Sequence, residues 1–561
     1  MQVSFKISNL FRTAGESFRR CVMRFPVAVV FVFALTVFQI YLIAADAELG
    51  ASKLLATLGY YFSVGTLLSL SLHLWAEEVK SRRMKVGVQA VAHLLLVADA
   101  FFLYHFAEGA RFIDIGIAHG AGILALWLSV FFVSFFREKD DIPSWNFTQY
   151  AVGSFALVVV IGGVMCGGLC LLVFSLEKLF GASVPEDSYL YILVLCCVTL
   201  PLLLFLGLLP YGEQKHDRKP QPVSFLSGII RYLFLPLAAG YLLVLYVYAA
   251  RILVQWELPN GWVSWLVVTL MAGCIAIEYG LYPARVKYGR RLDERIARWL
   301  PVAVLPLLLL MSAGIGRRFW DYGITLNRLY LATLNAWFYF VCIGLVIGKA
   351  RRIGWIPISF SLLFLLTSAL PVNYASITRD TLRNDVKEKM QELGIRLPIQ
   401  STQYSDWAKS SSPEEVCPVN EKLDYLASVF GPECVADVVS GELSSYYFHN
   451  VASDIVPPER LMTYSTDEEI RLPSGYQYMK KAGHSYEVEC SDTLSIPIRD
   501  GADSISLPMK ALEALDEDGS LPPLFVRSQK GDCFLLTYFY LRMGNKNLVK
   551  LNINGYIFYN K

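Results

Sequence analysis

Motifs that mark catalysis or cofactor binding are missing from this 561-residue sequence. It has no C-x-x-C pair, no H-E-x-x-H zinc helix, no G-x-S-x-G nucleophile elbow and no phosphate-cradling glycine loop. Charged residues are scarce, at 17% of the chain, and the formal net charge is +2. The sequence therefore predicts no metal and no cofactor. Whether the protein is an enzyme stays open, and a non-catalytic role is favoured.

Long apolar stretches dominate the first two thirds of the chain, where about eleven runs are long enough to cross a membrane as helices. They lie near residues 26–45, 54–75, 84–107, 112–136, 150–176, 189–209, 226–254, 262–283, 300–315, 329–347 and 353–370. The predicted fold is a membrane all-α helical bundle over residues 1–371. A small extracytoplasmic α+β domain over residues 372–561 follows it.

The loops between these stretches differ in charge. About 23 Lys and Arg residues lie in one set of alternate loops and about 6 in the other, which predicts a cytoplasmic N-terminus. An odd number of crossings then places the C-terminal domain outside. That domain has 27 acidic and 19 basic residues, which argues against a nucleic-acid partner. The lipid bilayer is the predicted partner, and no oligomeric state is predicted.

The region after residue 371 has mixed secondary-structure signals. Charged amphipathic and turn patterns predict a helix over 378–393, a linker over 401–413 and a helix over 420–430. Alternating apolar residues predict strands over 534–542, 548–553 and 556–559. Asn554 and Gly555 fit a tight type I′ turn between the last two strands.

Cysteines in this region form a separate set of candidates. Four lie after the apolar stretches: Cys417, Cys434, Cys490 and Cys533. An even number in an oxidising compartment predicts one or two disulfides. Cys417 with Cys434 is the favoured pair because the two bracket one helical segment, although other connectivities remain open.

Several strings resemble a known family. They are RFPVAVV at Arg24, RRFWDYGITLNRLY from Arg317, TLRNDVKEKMQELG in the predicted post-membrane helix and the terminal LVKLNINGYIFY. Together they resemble a family of uncharacterised bacterial, Bacteroidetes-type polytopic membrane proteins catalogued as a domain of unknown function. The resemblance implies a location in the bacterial inner (cytoplasmic) membrane with a periplasmic C-terminal domain. It brings no activity, catalytic residue or cofactor.

The predicted outer loop between the ninth and tenth spans is the first candidate site. Its candidate residues are Arg317, Arg318, Asp321, Tyr322, Thr325, Asn327 and Arg328. Thr325 fits the N-cap of the tenth helix, and a helix N-terminus flanked by arginine is suited to an anionic lipid headgroup or envelope ligand. Two alternatives remain: interfacial aromatic anchors with an Asp321–arginine pair, or docking of the acidic C-terminal domain.

The third and fourth spans contain the second candidate. A short hairpin loop joins them, so Asp99 should lie opposite His119, and His105 opposite Asp114. Ionisable residues within a membrane often mark a proton or ion path. The alternative is that these pairs only hold the two helices together.

Three classes of function fit the sequence. The favoured one is a non-catalytic envelope protein that anchors an outward-facing C-terminal domain. The second is a transporter or a protein that handles ions or protons through Asp99, His119, His105 and Asp114. The third is a polytopic membrane glycosyltransferase, although its usual large, acidic first outer loop is reduced here to about seven residues that include Asp46 and Glu48.

Overall fold

A computed structural model gives the architecture. It describes residues 18–49, 52–106, 112–181, 183–255, 262–441, 443–444, 446–455, 461–465, 478–489, 493–498, 503–508, 524–527, 533–543 and 548–559. The chain forms two compact units. One comprises Met1–Asp385 with Val429–Cys434, and the other comprises Val386–Ser428 with Val435–Lys561.

The first unit is helical. Its helices are α1 (Pro26–Ala44), α2 (Lys53–Glu78), α3 (Arg82–Phe106), α4 (Phe112–Phe132), α5 (Ile142–Phe180), α6 (Asp187–Leu208), α7 (Leu226–Gln255), α8 (Trp262–Tyr288), α9 (Arg291–Tyr322), α10 (Leu326–Ile347), α11 (Trp355–Ala369) and α12 (Tyr374–Glu392). Among the described residues, α1 to α10 are each long and apolar enough to cross a membrane. The pair α11 and α12, bent by 42°, adds an eleventh span if it counts as one. The predicted membrane bundle is therefore confirmed.

Local sequence signals set several helix ends. Ser52 accepts a hydrogen bond from the Leu55 amide at 3.2 Å and so caps α2. A proline stands in the first turn of α1 and of α5, where the missing amide proton costs nothing. Gly181 ends α5 at φ +65° and Gly323 ends α9 at φ +71°, a backbone region that favours glycine.

Two spans contain a short π-helical segment. It covers Val194–Thr199 in α6 and Ile230–Phe234 in α7. In each span a single leucine separates the segment from a proline, which is Pro201 in α6 and Pro236 in α7. Proline cannot donate the usual backbone bond to the preceding turn, and the wider π turn accommodates that loss.

The bundle has two buried apolar clusters. The first joins α1, α2, α5 and α6 around Phe25, Leu74 and Phe147. The second joins α8, α9 and α10 around Leu308 and Val341. The helix α3 adds no buried residue to either cluster and leaves most of its apolar side chains exposed, whereas α4 adds Val130 and exposes Phe112, Ile123 and Trp127. These exposed side chains are part of the surface that contacts lipid.

The loops rich in lysine and arginine meet at one end of the bundle, here called the basic end. Ser134 donates to the Leu74 carbonyl, Arg352 to the Lys139 carbonyl and Arg285 to the Ala350 carbonyl. These contacts join loops that lie far apart in the sequence. The basic end comprises residues 79–81, 133–141, 209–223, 289–290 and 348–354 with the adjoining helix turns.

The second unit contains helices and strands. Its helices are α13 (Ser401–Ser410), α14 (Pro413–Phe430) and α15 (Tyr447–Ile455). Its strands are β1 (Ile399–Gln400), β2 (Val439–Ser440), β3 (Leu461–Ser465), β4 (Tyr478–Glu489), β5 (Thr493–Ile498), β6 (Asp503–Pro508), β7 (Leu524–Arg527), β8 (Cys533–Met543) and β9 (Leu548–Tyr559). The order β3-β8-β9-β4 forms an antiparallel sheet, with β7 also paired to β8. The pairs β1–β2 and β5–β6 are separate.

Two local predictions for this unit were wrong. The predicted linker over 401–413 contains α13, since its serines and proline flank a helical turn pattern. The turn at Asn554 and Gly555 does not form, and β9 runs through both residues. They lie opposite Leu536 and Tyr538, where β8 carries an irregularity in register. Glycine within a strand often marks such a bulge.

The favoured disulfide is also absent. Cys417 is a free thiol, and no disulfide joins it to Cys434. The reason lies in α14, which the two residues were expected to bracket. Cys417 lies inside this helix, and the rise from there to Phe430 is about 20 Å, whereas a disulfide needs Cα atoms within roughly 7 Å. Cys490 and the side chain of Cys533 lie outside the described residues, so pairings that involve them stay a prediction.

Candidate functional site

The pair between Asp99 of α3 and His119 of α4 is present as predicted. His119 Nε2 lies 3.0 Å from Asp99 Oδ1, and His119 Nδ1 donates to the Ile115 carbonyl at 2.7 Å. Tyr60 of α2 donates its hydroxyl to Asp99 Oδ2 at 2.7 Å, a third member that the sequence did not suggest. The three side chains are here called the hairpin cluster.

The hairpin cluster binds an extra proton. A carbonyl only accepts, so His119 Nδ1 must carry a proton. The Nε2 atom faces a carboxylate oxygen, and that contact also needs a proton, on either the imidazole or the carboxyl group. The pair therefore holds one proton more than a neutral imidazole beside an ionised carboxylate. A group that holds and exchanges such a proton is suited to proton handling.

The second predicted pair, His105 with Asp114, was wrong. Asp114 Oδ2 instead accepts from Arg379 of α12, and both side chains are largely buried. His105 is exposed and packs against the rings of Phe101 and Tyr104. The guanidinium of Arg379 carries a permanent charge, which makes it a stronger partner for a carboxylate than an imidazole. It contacts only Oδ2, and Asp114 Oδ1 is buried without a partner in the described part of the chain.

The outer motif has a different geometry from the one predicted. The helix α9 extends to Tyr322, so Arg317 and Arg318 lie in its last turns rather than in a loop. Thr325 occupies the N-cap position of α10, but its side chain makes no capping bond. Arg328 Nη1 donates to the Gly323 carbonyl at 2.8 Å.

Arg317 and Arg318 therefore lie near the C-terminal end of α9, where cations are stabilised by the helix dipole, whereas Arg328 lies in the first turn of α10. Asn327 is exposed. The side chains of Asp321 and Tyr322 lie outside the described residues. The predicted convergence of Arg318 and Arg328 on an anion, or on Asp321, stays a prediction.

A cluster that the sequence analysis missed lies at the basic end. Lys215 is only 1% exposed, and its Nζ donates to Glu77 at 2.7 Å and to Glu78 at 2.8 Å. Arg24 donates to Glu77 at 2.7 Å and to the carbonyls of Leu209 and Pro210. The cluster joins the first two spans to the loop before the seventh.

His216 extends this cluster. Its Nε2 lies 3.0 Å from Glu78 and its Nδ1 lies 3.1 Å from Glu138, and Arg218 pairs with Glu138 at 2.9 Å. Each ring nitrogen thus faces a carboxylate oxygen of a different glutamate. Positive and negative groups thus alternate across four segments of the chain. Arg24, Glu77, Glu78, Glu138, Lys215, His216 and Arg218 are here called the charged cluster.

Cys21 lies beside this cluster, in the helical turn that precedes α1. Burial raises the pKa of its thiol to about 11, and the nearby Arg24 guanidinium opposes part of that rise. A thiol with such a pKa stays protonated at neutral pH and is a poor nucleophile. The interior of the basic end is therefore closed to water at this position.

The described residues contain no group of three His, Cys, Asp or Glu side chains that could hold a metal ion. The exposed Asp46 and Glu48 of the short first outer loop likewise adjoin no further site residue. The structure thus offers two polar assemblies, the hairpin cluster and the charged cluster.

The helices and their polar contacts define a multi-pass membrane protein. Residues 27–387 match the family described as domain of unknown function (DUF4153). The chain therefore belongs to that family. A curated relative is the uncharacterized protein PM1469 of Pasteurella multocida (strain Pm70), which is 24% identical over 437 residues, or 75% of this chain and 69% of that protein. No solved structure matches the chain. The Bacteroidetes-type origin stays a prediction.

Proposed function

We propose that the protein is a non-catalytic protein of the bacterial inner membrane, with a cytoplasmic N-terminus, whose bundle anchors a periplasmic C-terminal domain. The observation that carries this proposal is the way the chain leaves the bundle. Arg379, in the second turn of α12, pairs with Asp114 of α4. The hydroxyl of Tyr374, at the start of the same helix, bonds to Thr333 of α10.

These contacts fix the exit segment against two different spans. The start of α12 is also capped, because Asn373 Oδ1 accepts from the Ser376 amide at 2.8 Å and Ser376 Oγ accepts from the Asn373 amide at 3.0 Å. All of these bonds lie within the first unit, where they hold the start of α12 against the bundle. The loop charges support the orientation, since the basic end matches the cytoplasmic side.

Paired reporter fusions test the orientation. An alkaline phosphatase that is active only outside the cytoplasm is fused after Lys561, and the same reporter is inserted after Lys349 of the basic end. We expect activity from the first fusion and none from the second. Activity from the second fusion alone would overturn the proposal.

The anchoring role is tested by substitution at the exit. We expect Asp114→Asn to increase cleavage within α12 during limited proteolysis, because Arg379 loses the buried one of its two ionised partners. Asp380→Asn is the matched control, since it removes the other partner, at 3.3 Å from Arg379 Nε, from an exposed position where an ion pair contributes little. Equal cleavage in both variants would show that the Asp114 contact does not hold the exit segment.

The hairpin cluster supports a second candidate function, proton transfer. Its support is the extra proton held between Asp99 and His119, with Tyr60 completing the carboxylate's bonds. Protein reconstituted in vesicles with an internal pH dye would show proton entry under an imposed potential. If the cluster relays protons, Asp99→Asn should abolish entry without lowering the folded yield, and Asp46→Asn should leave it unchanged. No entry with the unaltered protein would exclude this function.

A further inference from the structure

A cavity of about 1100 Å³ opens at the side of the bundle near the basic end. Six helices surround it, namely α4, α5, α7, α8, α10 and α11. Its walls are mainly apolar, and the aromatic residues in them are Trp127, Phe131, Phe132, Trp145, Phe234, Tyr279, Trp337 and Phe360. This cavity is here called the lateral groove.

The length of the lateral groove matches one leaflet of a membrane. Its lining follows α5 from Asp141 at the helix start to Gly153, a rise of about 18 Å. Half of a hydrocarbon core is roughly 15 Å thick. The groove is therefore about as long as the hydrocarbon layer of one leaflet is thick.

The polar groups in its wall are mostly satisfied by the protein itself. Trp145 Nε1 donates to the Tyr279 carbonyl at 2.8 Å, and the Tyr279 hydroxyl donates to the Ile353 carbonyl at 2.7 Å. Asp141 Oδ2 accepts from the amides of Ile353 and Gly354 at 2.6 and 2.9 Å. These bonds fix the wall and leave its apolar faces toward the groove.

Gln149 is the exception. Its side chain lines the groove, and its Oε1 atom is buried with no hydrogen-bond partner among the described residues. Buried polar atoms are nearly always paired. The atom itself has no accessible surface, so it adds no polar group to the accessible wall of the groove.

We propose that the lateral groove binds one acyl chain of a bilayer phospholipid, with the headgroup at the Asp141 end. An apolar cavity does not hold water well, and acyl chains are what surrounds the bundle at this depth. The exposed side chains of Lys139 and Arg352 lie next to lining residues at that end and complement a phosphate.

The glycines of α5 supply a matched pair of variants. Gly153 lines the groove and Gly163 does not, and a Cβ atom added at either would meet no other atom within 4 Å. Gly153→Phe places a ring in the groove, whereas Gly163→Phe places the same ring on the same helix elsewhere. Native mass spectrometry of detergent-washed full-length protein then counts the phospholipids that each variant retains.

We expect the unaltered protein and Gly163→Phe to retain one phospholipid per chain, and Gly153→Phe to retain none. The proposal is overturned if the unaltered protein retains no lipid, if Gly153→Phe retains as much as Gly163→Phe, or if the retained molecule is an isoprenoid lipid.

A second measurement does not depend on the folding of any variant. The unaltered protein is placed in nanodiscs that contain a phospholipid with a photoreactive group on its acyl chain. We expect labelling to concentrate on peptides that contain Trp127, Val152 or Phe360 of the groove. Equal labelling of the exposed α3 residues Leu94 and Leu95 would show ordinary lipid contact rather than a site.

Discussion

The charged cluster and the hairpin cluster are both built from side chains on separate segments, yet their charges are matched in different ways. In the charged cluster, Glu77 meets two cationic groups, and Glu78 and Glu138 each meet one cationic group and one ring nitrogen of His216. Lys215 is almost fully buried between Glu77 and Glu78. The hairpin cluster has one carboxylate, one imidazole and one hydroxyl, and Asp99 is about one third exposed. The first arrangement is suited to holding segments together, and the second holds one proton between a histidine and a carboxylate.

Lys215→Met should have the largest effect, because it removes the cation that separates Glu77 from Glu78. Breaking a buried ion pair from one side leaves uncompensated charge and costs about 3–5 kcal/mol. Thermal unfolding in detergent measures the loss. Arg218→Gln is the control, since Arg218 is 66% exposed and exposed pairs contribute at most about 1 kcal/mol. Equal losses in the two variants would mean that the charged cluster is no more structural than an ordinary surface pair.

His216→Gln comes next. The imidazole contacts Glu78 and Glu138 through its two ring nitrogens, and a glutamine amide cannot span both carboxylates from the same position. Hydrogen bonds to charged groups contribute about 1.5–3 kcal/mol each, and we expect the loss of one. His449→Gln, at an exposed position of the second unit, should leave the unfolding temperature unchanged. If His216→Gln leaves the unfolding temperature unchanged, His216 does not stabilise the charged cluster.

Asp99→Asn should have a smaller effect on stability, below about 1 kcal/mol, because the amide still accepts from Tyr60 and no charge is left buried. Asp99→Leu should cost more, about 1–3 kcal/mol, since Tyr60 and His119 both lose a partner. Thermal unfolding of the two variants side by side gives the difference. If Asp99→Asn lowered the stability as much as Lys215→Met, the two clusters would not differ in how strongly their charged groups stabilise the fold.

The least perturbing measurement uses Cys21 in the unaltered protein. Its pKa is raised from 9.0 to about 11, so the protonated thiol is the form that the fold stabilises. That contribution is present below pH 9 and is lost as the pH rises through about 11. Maleimide labelling at pH 8 should therefore be slow in the folded protein and fast after denaturation. Labelling at Cys21 that is equally fast in both states would show that the basic end is open.

The bundle was largely predictable because the membrane imposes a strong local rule: a span must be a long apolar helix. The pairing of Asp99 with His119 was also predictable, since a short loop forces the two helices to run side by side. Lys215 and Glu77 are 138 residues apart, and Asp114 and Arg379 are 265 apart. No local pattern indicates which of many loop charges meet, so packing alone decides those contacts.

The errors in the second unit have a similar cause. Asn554 and Gly555 satisfy the local rule for a turn, but neighbouring strands on both sides hold β9 extended through them. Strand pairing contributed by β4 and β8 overrides a two-residue preference. The lateral groove was likewise invisible in the sequence, because its wall residues come from six helices and each is ordinary in its own span.

The π-helical segment in α6 determines how the two halves of this span are rotated relative to each other. A π turn contains one residue more than an α turn, so the segment Val194–Thr199 behaves as a one-residue insertion within the span. Deleting a single residue there would restore a regular helix and rotate everything on one side of it by about 100° relative to the other. Gly162 of α5 fixes that rotation, since a Cβ atom there would lie 2.3 Å from the Cys196 carbonyl. The rotation of one half of α6 relative to the other is thus set by the extra residue of its π turn and by the absence of a side chain at Gly162.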